Sequence, residues 1–218
     1  MTESSLFVAT PLHDGSVHHT YMLGALSALR AFPGRIRMDA QIGSWLPASR
    51  DFLTARFLES GASHMLCVDS DIGWTGEDAQ KLLDTGLDFV SGVYCKKQPD
   101  RQVPAEVLSV DGDIAECSHV PAGFLLVSRE AVETMVREYP TLGYMSQSTR
   151  LAGLWWPATP AEGEDVAFCR KWRALGQRIY MRLDVRLKHA GQLSYEPGEK
   201  LNLAWAKPPV APDISAVA

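Results

Sequence analysis

Residues 65–71 read Met-Leu-Cys-Val-Asp-Ser-Asp, four apolar residues followed directly by two carboxylates separated by one serine. The apolar part does not alternate with polar residues, which is typical of a central parallel strand covered by helices on both faces. In open α/β sheets, ligands bind beyond the carboxyl ends of such strands. Asp69-Ser70-Asp71 therefore stands where a ligand site is expected.

The chain on either side of this stretch alternates between strand-like and helix-like segments. Before it come a short apolar strand, a helix with apolar spacing at Met22, Leu26 and Leu29, a weak strand, and a helix capped at Ser49. A helix over 76–85 and a strand over 89–94 follow it. This order predicts an α/β fold with a doubly wound, mostly parallel sheet.

Beyond residue 97 the pattern changes to closely spaced strands over 103–110, 114–117 and 124–127, which predicts a small antiparallel insertion. Residues 128–139 are predicted helical, and 140–163 form a long loop rich in Gly and Pro. A helix opens at Glu164, and a strand from Ile179 places His189 on its inward face. We expect one catalytic domain over 1–195 and a Pro/Ala-rich tail over 196–218.

Composition limits the classes of function. The 218 residues carry a net charge of −5 with dispersed cations, which argues against binding nucleic acid mainly through phosphate neutralisation. The four cysteines form no CxxC pair and read as reduced core thiols. No basic leader and no apolar run of membrane-spanning length is present. We expect a cytoplasmic protein without a membrane span.

The Asp-Ser-Asp tripeptide supplies the hard oxygen ligands that Mg²⁺ or Mn²⁺ prefer, while phosphate oxygens and water can complete the shell. Taken alone, the same residues fit an Asx-turn or a helix cap equally well.

The surrounding segments make the pattern more specific. Asp-Ser-Asp is followed by Ile-Gly-Trp, a helix and Phe89-Val-Ser-Gly-Val-Tyr94, then by 120–127 with its Gly123, by Gly163-Glu164-Asp165 and by a late His189. Over about 6–195 this order resembles the GT-A glycosyltransferases, especially small bacterial and phage-type, family-2-like members. The resemblance implies a GT-A fold, Mn²⁺ or Mg²⁺ as cofactor, and a nucleotide-diphosphate sugar, with a UDP-sugar favoured, as donor.

The resemblance also implies roles for individual acids. Asp71 and His189 would bind the metal, with Asp69 contributing to the metal site or contacting the ribose. Asp165, beside Glu164, would be the base of an inverting transfer. The alternatives are that both acids only favour the helix dipole, or that a retaining enzyme uses Asp165 to bind a hydroxyl.

Other residues are assigned to substrates by the same resemblance. The donor side would include Ser70 and the first loop, with Thr10, Pro11 and Asp14, and Arg50 would reach the nucleotide pocket. The acceptor side would include Gly123, and the rings of Trp155 and Trp156 could stack on a sugar or simply pack, as could Trp74. Lys96 and Lys97 could meet phosphates, although a solvated pair is the default expectation.

Two other functions fit parts of the pattern: a catalytically silent sugar-nucleotide binder and a nucleotidyltransferase. The latter class usually carries a glycine-rich basic loop after its first strand, where this chain has Pro-Leu-His-Asp-Gly. Expected acceptors are a glycan, a lipid-linked saccharide or another hydroxyl. A modified DNA base is compatible with the phage-type resemblance but is not favoured by the acidic composition. A homo-oligomer is compatible with the sequence.

Overall fold

The computed structural model describes residues 5–146, 149–191 and 195–206. Its strands are β1 Ser5–Leu12, β2 Arg35–Ile42, β3 His64–Val68, β4 Ile72–Gly73, β5 Phe89–Val93, β6 Glu106–Asp111, β7 Ile114–His119, β8 Phe124–Ser128, β9 Tyr144–Ser146, β10 Thr149–Leu151, β11 Ile179–Arg186, β12 Lys188–His189 and β13 Ala204–Trp205. Its helices are α1 His19–Ala31, α2 Leu46–Ser60, α3 Gly76–Leu83, α4 Arg129–Glu138 and α5 Glu164–Ala174, with a 3₁₀ turn at Pro140–Leu142.

Nine of these strands form one sheet in the order β13-β6-β7-β11-β5-β8-β3-β1-β2. The pairings give β7 and β8 one direction and the other strands of this sheet the opposite direction. Two apolar clusters cover the sheet, one on each face. The predicted α/β class is confirmed.

The antiparallel strand β8 lies at the centre of the sheet, between β3 and β5, and not in a peripheral insertion. The five residues of β8 are buried, so this segment belongs to the core. Strands β6 and β7 form the expected antiparallel hairpin around Gly112 near the other edge.

The face of helix α1 that packs against the core is the opposite of the predicted one. The expected stripe of Met22, Leu26 and Leu29 is exposed, and the buried positions include Gly24 and Ala28. A Cβ atom at Gly24 would lie 2.7 Å from Cδ1 of Trp74, and one at Gly76 would lie 3.0 Å from Cα of Ala28. The close approach of α1 to the body of the protein therefore requires small residues on its inner face.

Helix α2 begins three residues before the predicted cap, because Pro47 fits the first turn of a helix. Ser49 is consequently buried inside the helix. Arg50 lies in the second turn, on the side that faces the carboxyl end of β3.

The segment predicted as a tail begins with ordered contacts. Strand β13 pairs with β6 at one edge of the sheet, and the Val103 amide donates to the Asn202 carbonyl at 3.1 Å. Residues 207–218 of the predicted tail lie outside the described part of the chain. Within the described ranges, no helix has the length and apolar character needed to cross a bilayer.

Candidate active site

The carboxyl ends of β1, β2 and β3 surround a cavity of about 220 Å³. Asp69, Ser70 and Asp71 line it directly after β3, as predicted from the strand order. Its other lining residues come from the ends of the two neighbouring strands and the start of α2: Pro11, Leu12, His13, Gly43, Ser44 and Leu46. Pro11 thus lies where the donor pocket was expected.

Arg50 lies beneath this cavity and joins two acids from distant parts of the chain. Its Nη2 donates to Oδ1 of Asp69 at 2.8 Å, and its Nε donates to Oε1 of Glu164 at 3.3 Å. The guanidinium is 3% exposed and lies 5.1 Å from the centre of the Trp155 ring. Burial alone would lower the pKa of Arg50, but the carboxylates, Asp69 foremost, raise it. The arginine is therefore a permanent buried cation that fixes the positions of both acids.

Asp71, which lines the cavity, lies next to His189. The two-residue strands β4 and β12 pair with each other, and the Ala190 amide donates to the Asp71 carbonyl at 2.8 Å. This pairing brings Nε2 of His189 to 3.6 Å from Oδ1 of Asp71, while Nδ1 of His189 lies 2.9 Å from the Cys95 carbonyl. Because a carbonyl can only accept, Nδ1 carries the proton of that bond.

The second oxygen of Asp71 accepts from the ammonium of Lys97. Burial would raise the pKa of Asp71, but the nearby His189 ring and the Lys97 ammonium outweigh it and lower the pKa to about 2. Asp71 is thus a carboxylate at every physiological pH. Lys97 is only partly buried, so it is a flexible partner and not part of the rigid framework.

Two of the three predicted metal ligands come together. Asp71 and His189 share one location, while Oδ1 of Asp69 is held by Arg50, and the role of Asp69 as a ligand stays a prediction. Among the described residues, no group of three or more His, Cys, Asp or Glu side chains forms a metal site. A carboxylate and an imidazole still suit Mg²⁺ or Mn²⁺, since such ions commonly take one or two protein ligands together with substrate phosphates and water.

Gly123 packs against Asp69 at the point where β8 begins. Its carbonyl accepts from the Asp69 amide at 3.0 Å, and its amide donates to the hydroxyl of Tyr94 at 3.0 Å. An added Cβ atom would collide with that hydroxyl and lie 2.9 Å from Oδ2 of Asp69. Only glycine fits here. Gly123, which was predicted on the acceptor side, therefore has a structural role next to Asp69.

The acids that open α5 have different surroundings. Glu164 is paired with Arg50, whereas Asp165 accepts only from the Val166 amide, at 2.8 Å, among its described neighbours. Asp165 lines a second cavity of about 390 Å³, together with Lys96 and with residues of β6, β7 and β13. Of the two predicted catalytic acids, Asp165 is the one free to act on a substrate.

Other predicted substrate residues lie away from the cavities. Thr10 is buried with its hydroxyl 2.5 Å from that of Tyr21, and Asp14 is an exposed turn residue that accepts from Ser16. Trp155 is fully buried, stacked on Phe168 at 3.9 Å, and cannot stack on a sugar. The predicted platform role of Trp155 is therefore wrong, because its ring belongs to the core.

Trp74 is buried as well, whereas Trp156 is only half-buried. The indole N–H of Trp156 donates to the Tyr144 hydroxyl at 3.1 Å, and its ring lies 4.6 Å from that of the exposed Trp45. Trp45 and Trp156 therefore form an accessible aromatic surface at the start of α2.

Comparison with known proteins gives the fold and no more. No family model matches the chain, and no curated protein matches it. Among solved structures, A197 from STIV is 19% identical, covers 91% of this chain and 96% of its own, and has a TM-score of 0.54. UDP-glucose pyrophosphorylase in complex with UDP-glucose is 8% identical over 84% of this chain and 90% of that one, with a TM-score of 0.49. HddC from Yersinia pseudotuberculosis in complex with GMP-PN is 13% identical over 79% and 97%, with a TM-score of 0.36.

The sequence did not single out two residues that shape the site. Tyr94 is buried against Gly123, and its ring makes a T-shaped contact with that of His189 at 5.1 Å between centroids. Burial, reinforced by the nearby Asp69 charge, raises the pKa of this phenol, so it stays protonated. Ser44 lines the first cavity just after β2. Both residues follow the ends of strands at the site edge, which is the signal that could have identified them.

Proposed function

We propose that this chain is a metal-dependent glycosyltransferase of the GT-A type, which moves a sugar from a nucleotide-diphosphate sugar to an acceptor hydroxyl. The observation that carries the proposal is the approach of His189 to Asp71, a residue that lines the 220 Å³ cavity. Their facing atoms are 3.6 Å apart, beside the strand end where α/β folds bind ligands.

The orientation of the His189 ring supports a cation at this place. Its Nδ1 donates to the Cys95 carbonyl, and its Nε2 faces a carboxylate oxygen of Asp71. Metal-binding histidines characteristically donate their other N–H to a backbone carbonyl in this manner. A divalent cation held here would neutralise charge on the departing nucleoside diphosphate.

The remaining groups of this cavity suit the rest of the donor. Asp69 lines this cavity with its Oδ1 held by Arg50, and its Oδ2 can accept from a ribose hydroxyl. Lys97 reaches Asp71 on a flexible stem, so the ammonium can turn toward a phosphate when a donor is present.

The acceptor is proposed to enter the 390 Å³ cavity, where Asp165 accepts the proton of the attacking hydroxyl. Glu164 cannot share this role easily because Arg50 holds its carboxylate, and it acts instead as a positioning residue. The cavity also presents Lys96, Gln102, Glu106 and His119. Such a mixture of donors and acceptors suits the hydroxyls of a saccharide better than an apolar acceptor.

Donor binding is tested by calorimetry with a panel of UDP- and GDP-sugars, with Mn²⁺ or with EDTA. We expect binding that requires the cation and is lost in Asp71→Asn. The matched control is Asp113→Asn, which changes an exposed carboxylate in the turn between β6 and β7. Binding that is indifferent to EDTA and to Asp71→Asn would refute the proposal.

Catalysis is tested with Asp165→Asn. This variant should bind the donor normally and transfer its sugar ~10²–10⁴-fold more slowly, because it lacks the base. Full transfer by the variant contradicts the assignment. Production of a nucleoside triphosphate and a sugar 1-phosphate from donor and pyrophosphate would instead identify a nucleotidyltransferase.

A further inference from the structure

Helix α1 presents large apolar side chains to solvent. Met22 is 51% exposed, Leu23 63%, Leu26 43% and Leu29 55%. The inner face of the same helix, described above, is built around Gly24 and Ala28. Apart from Tyr21, the helix therefore buries small residues and exposes its methionine and its leucines, which is the reverse of the usual arrangement for a surface helix.

The four side chains form one patch. Since each is about half exposed, together they present on the order of 400 Å² of apolar surface, an area at which patches on soluble proteins are commonly binding sites. Exposed apolar residues elsewhere, such as Leu108 and Met145, belong to other elements and lie apart from this patch in the sequence. The patch on α1 therefore has the size of an interface core.

The spacing within the patch specifies the kind of partner. Met22, Leu26 and Leu29 stand at i, i+4 and i+7, the spacing of the d, a and d positions of a coiled-coil seam, and Leu23 flanks the seam at an e position. A second apolar helix is the surface that such a seam fits. Each copy of this chain carries one.

The charges around the patch favour a second copy over a lipid surface. The only charged side chain of α1 is Arg30. The neighbouring helix α3 exposes Glu77, which pairs with Lys81, and Asp84 is exposed just after the end of α3. An anionic bilayer would be repelled by these carboxylates and by the net charge of −5. Pairing of two apolar seams requires no compensating charge.

We propose that two copies of the chain associate through the apolar stripe of α1 about a two-fold axis. A two-fold places the same patch on both sides and lets the two helices run antiparallel, which also aligns their dipoles favourably. A stable interface buries roughly 800 Å² per partner, of which about 60% is apolar, so the patch supplies most of the apolar part. This inference is independent of the proposed function.

The oligomeric state tests the proposal by light scattering behind size-exclusion chromatography. We expect a mass twice the 24.0 kDa of one chain. Leu26→Glu would place two carboxylates near the axis and should weaken association at least ~100-fold. Leu108→Glu is the matched control, because Leu108 is 38% exposed but lies on β6. Circular dichroism and thermal unfolding show whether both variants fold.

Several outcomes would overturn the proposal. One is a wild-type chain that remains a monomer up to about 100 µM. Another is equal dissociation by Leu108→Glu and Leu26→Glu. A third is Leu26-dependent sedimentation with vesicles of anionic lipid, which would assign the stripe to a membrane surface. A monomer that dimerises only after shortening to residue 206 would show that residues 207–218 cover the stripe.

Discussion

At the scale of single residues, Arg50 connects the two halves of the candidate site. It bonds Asp69 after β3 and Glu164 at the start of α5, residues that are 19 and 114 positions away. A guanidinium can satisfy both acids at once because its donors point in fixed, divergent directions. A lysine has one ammonium on a flexible stem and cannot reproduce this geometry.

Arg50→Lys should therefore lower the free energy of unfolding by about 3 kcal/mol, because a cation buried at this position can pair with only one of the two partly buried carboxylates. The measurement is urea unfolding at neutral pH. Arg56→Lys is the control, since Arg56 lies on the same helix but is 37% exposed and bonds Asp39 at 3.0 Å. The Arg56→Lys variant should lose less than about 1 kcal/mol of unfolding free energy. If both variants lose the same free energy of unfolding, burial does not make the ion pairs of Arg50 more stabilising than that of Arg56.

Some of these residue roles could be predicted from the sequence and others could not. The meeting of Asp71 and His189 was expected from the resemblance to GT-A enzymes, which assigned both residues to one metal site. The capture of Asp69 by Arg50 was not expected, because it depends on the exact turn of α2 on which the arginine lies. Trp155 and Trp156 are neighbours of the same type, and only the packing on Phe168 shows which one is core.

At the scale of elements, α2 holds the long loop that precedes α5. Asp51, next to Arg50, is fully buried and accepts from the Leu154 amide at 3.1 Å and from the Tyr144 hydroxyl at 3.3 Å. On the other side, Lys171 of α5 donates to the Trp156 carbonyl at 2.8 Å. The loop is thus fixed between two helices and is not a free lid.

Burial raises the pKa of Asp51 from 3.8 to about 6, against the hydrogen bonds that it accepts. Between these two values the folded chain holds a proton that the unfolded chain releases, so stability falls as the pH rises through this interval. The contribution of Asp51 is present below pH 3.8, is lost by pH 6, and amounts to about 3 kcal/mol.

Asp51→Asn should remove this pH dependence while keeping an acceptor for Leu154. Thermal unfolding at a series of pH values from about 4 to 7 measures the difference between wild type and variant. The wild type should lose more stability than the variant over that interval. Glu77→Gln, which changes an exposed carboxylate on α3, should follow the wild type. Parallel curves for wild type and Asp51→Asn would contradict the shifted pKa.

Sequence patterns predicted the elements better than their orientation. The strand and helix order was sufficient for the α/β class, because apolar runs and helical spacing are local signals. The inner face of α1 was not predictable in the same way, since Gly24 and Ala28 carry no apolar signal and their burial depends on Trp74 and Gly76 from another segment. The central position of β8 likewise depends on pairing with β3 and β5, which are far away in the chain.

At the scale of the whole molecule, the segment 200–206 closes one edge of the sheet. Strand β13 pairs with β6, Leu201 and Leu203 pack against the core, and Ala204 lines the 390 Å³ cavity beside Asp165. This segment therefore links the edge of the fold to the proposed acceptor side.

Two shortened chains measure how much the segment 200–206 contributes to the stability of the fold. A chain ending after residue 199 should be less stable than one ending after 206 by about 2–3 kcal/mol, because it loses two partly buried leucines and the hydrogen bonds of β13. Urea unfolding compares the two chains directly. Identical midpoints would show that the edge strand adds nothing to the fold.

The Arg50 bridge also has a consequence for the order in which the protein is built. During synthesis, Arg50 and Asp69 leave the ribosome about a hundred residues before Glu164, so the first pair can form while the guanidinium still lacks its second partner. Docking of α5 supplies that partner and brings Asp165 to its cavity in the same step. Because β11 and His189 also follow α5, the core and the site are both completed late, and a chain arrested before α5 would have neither.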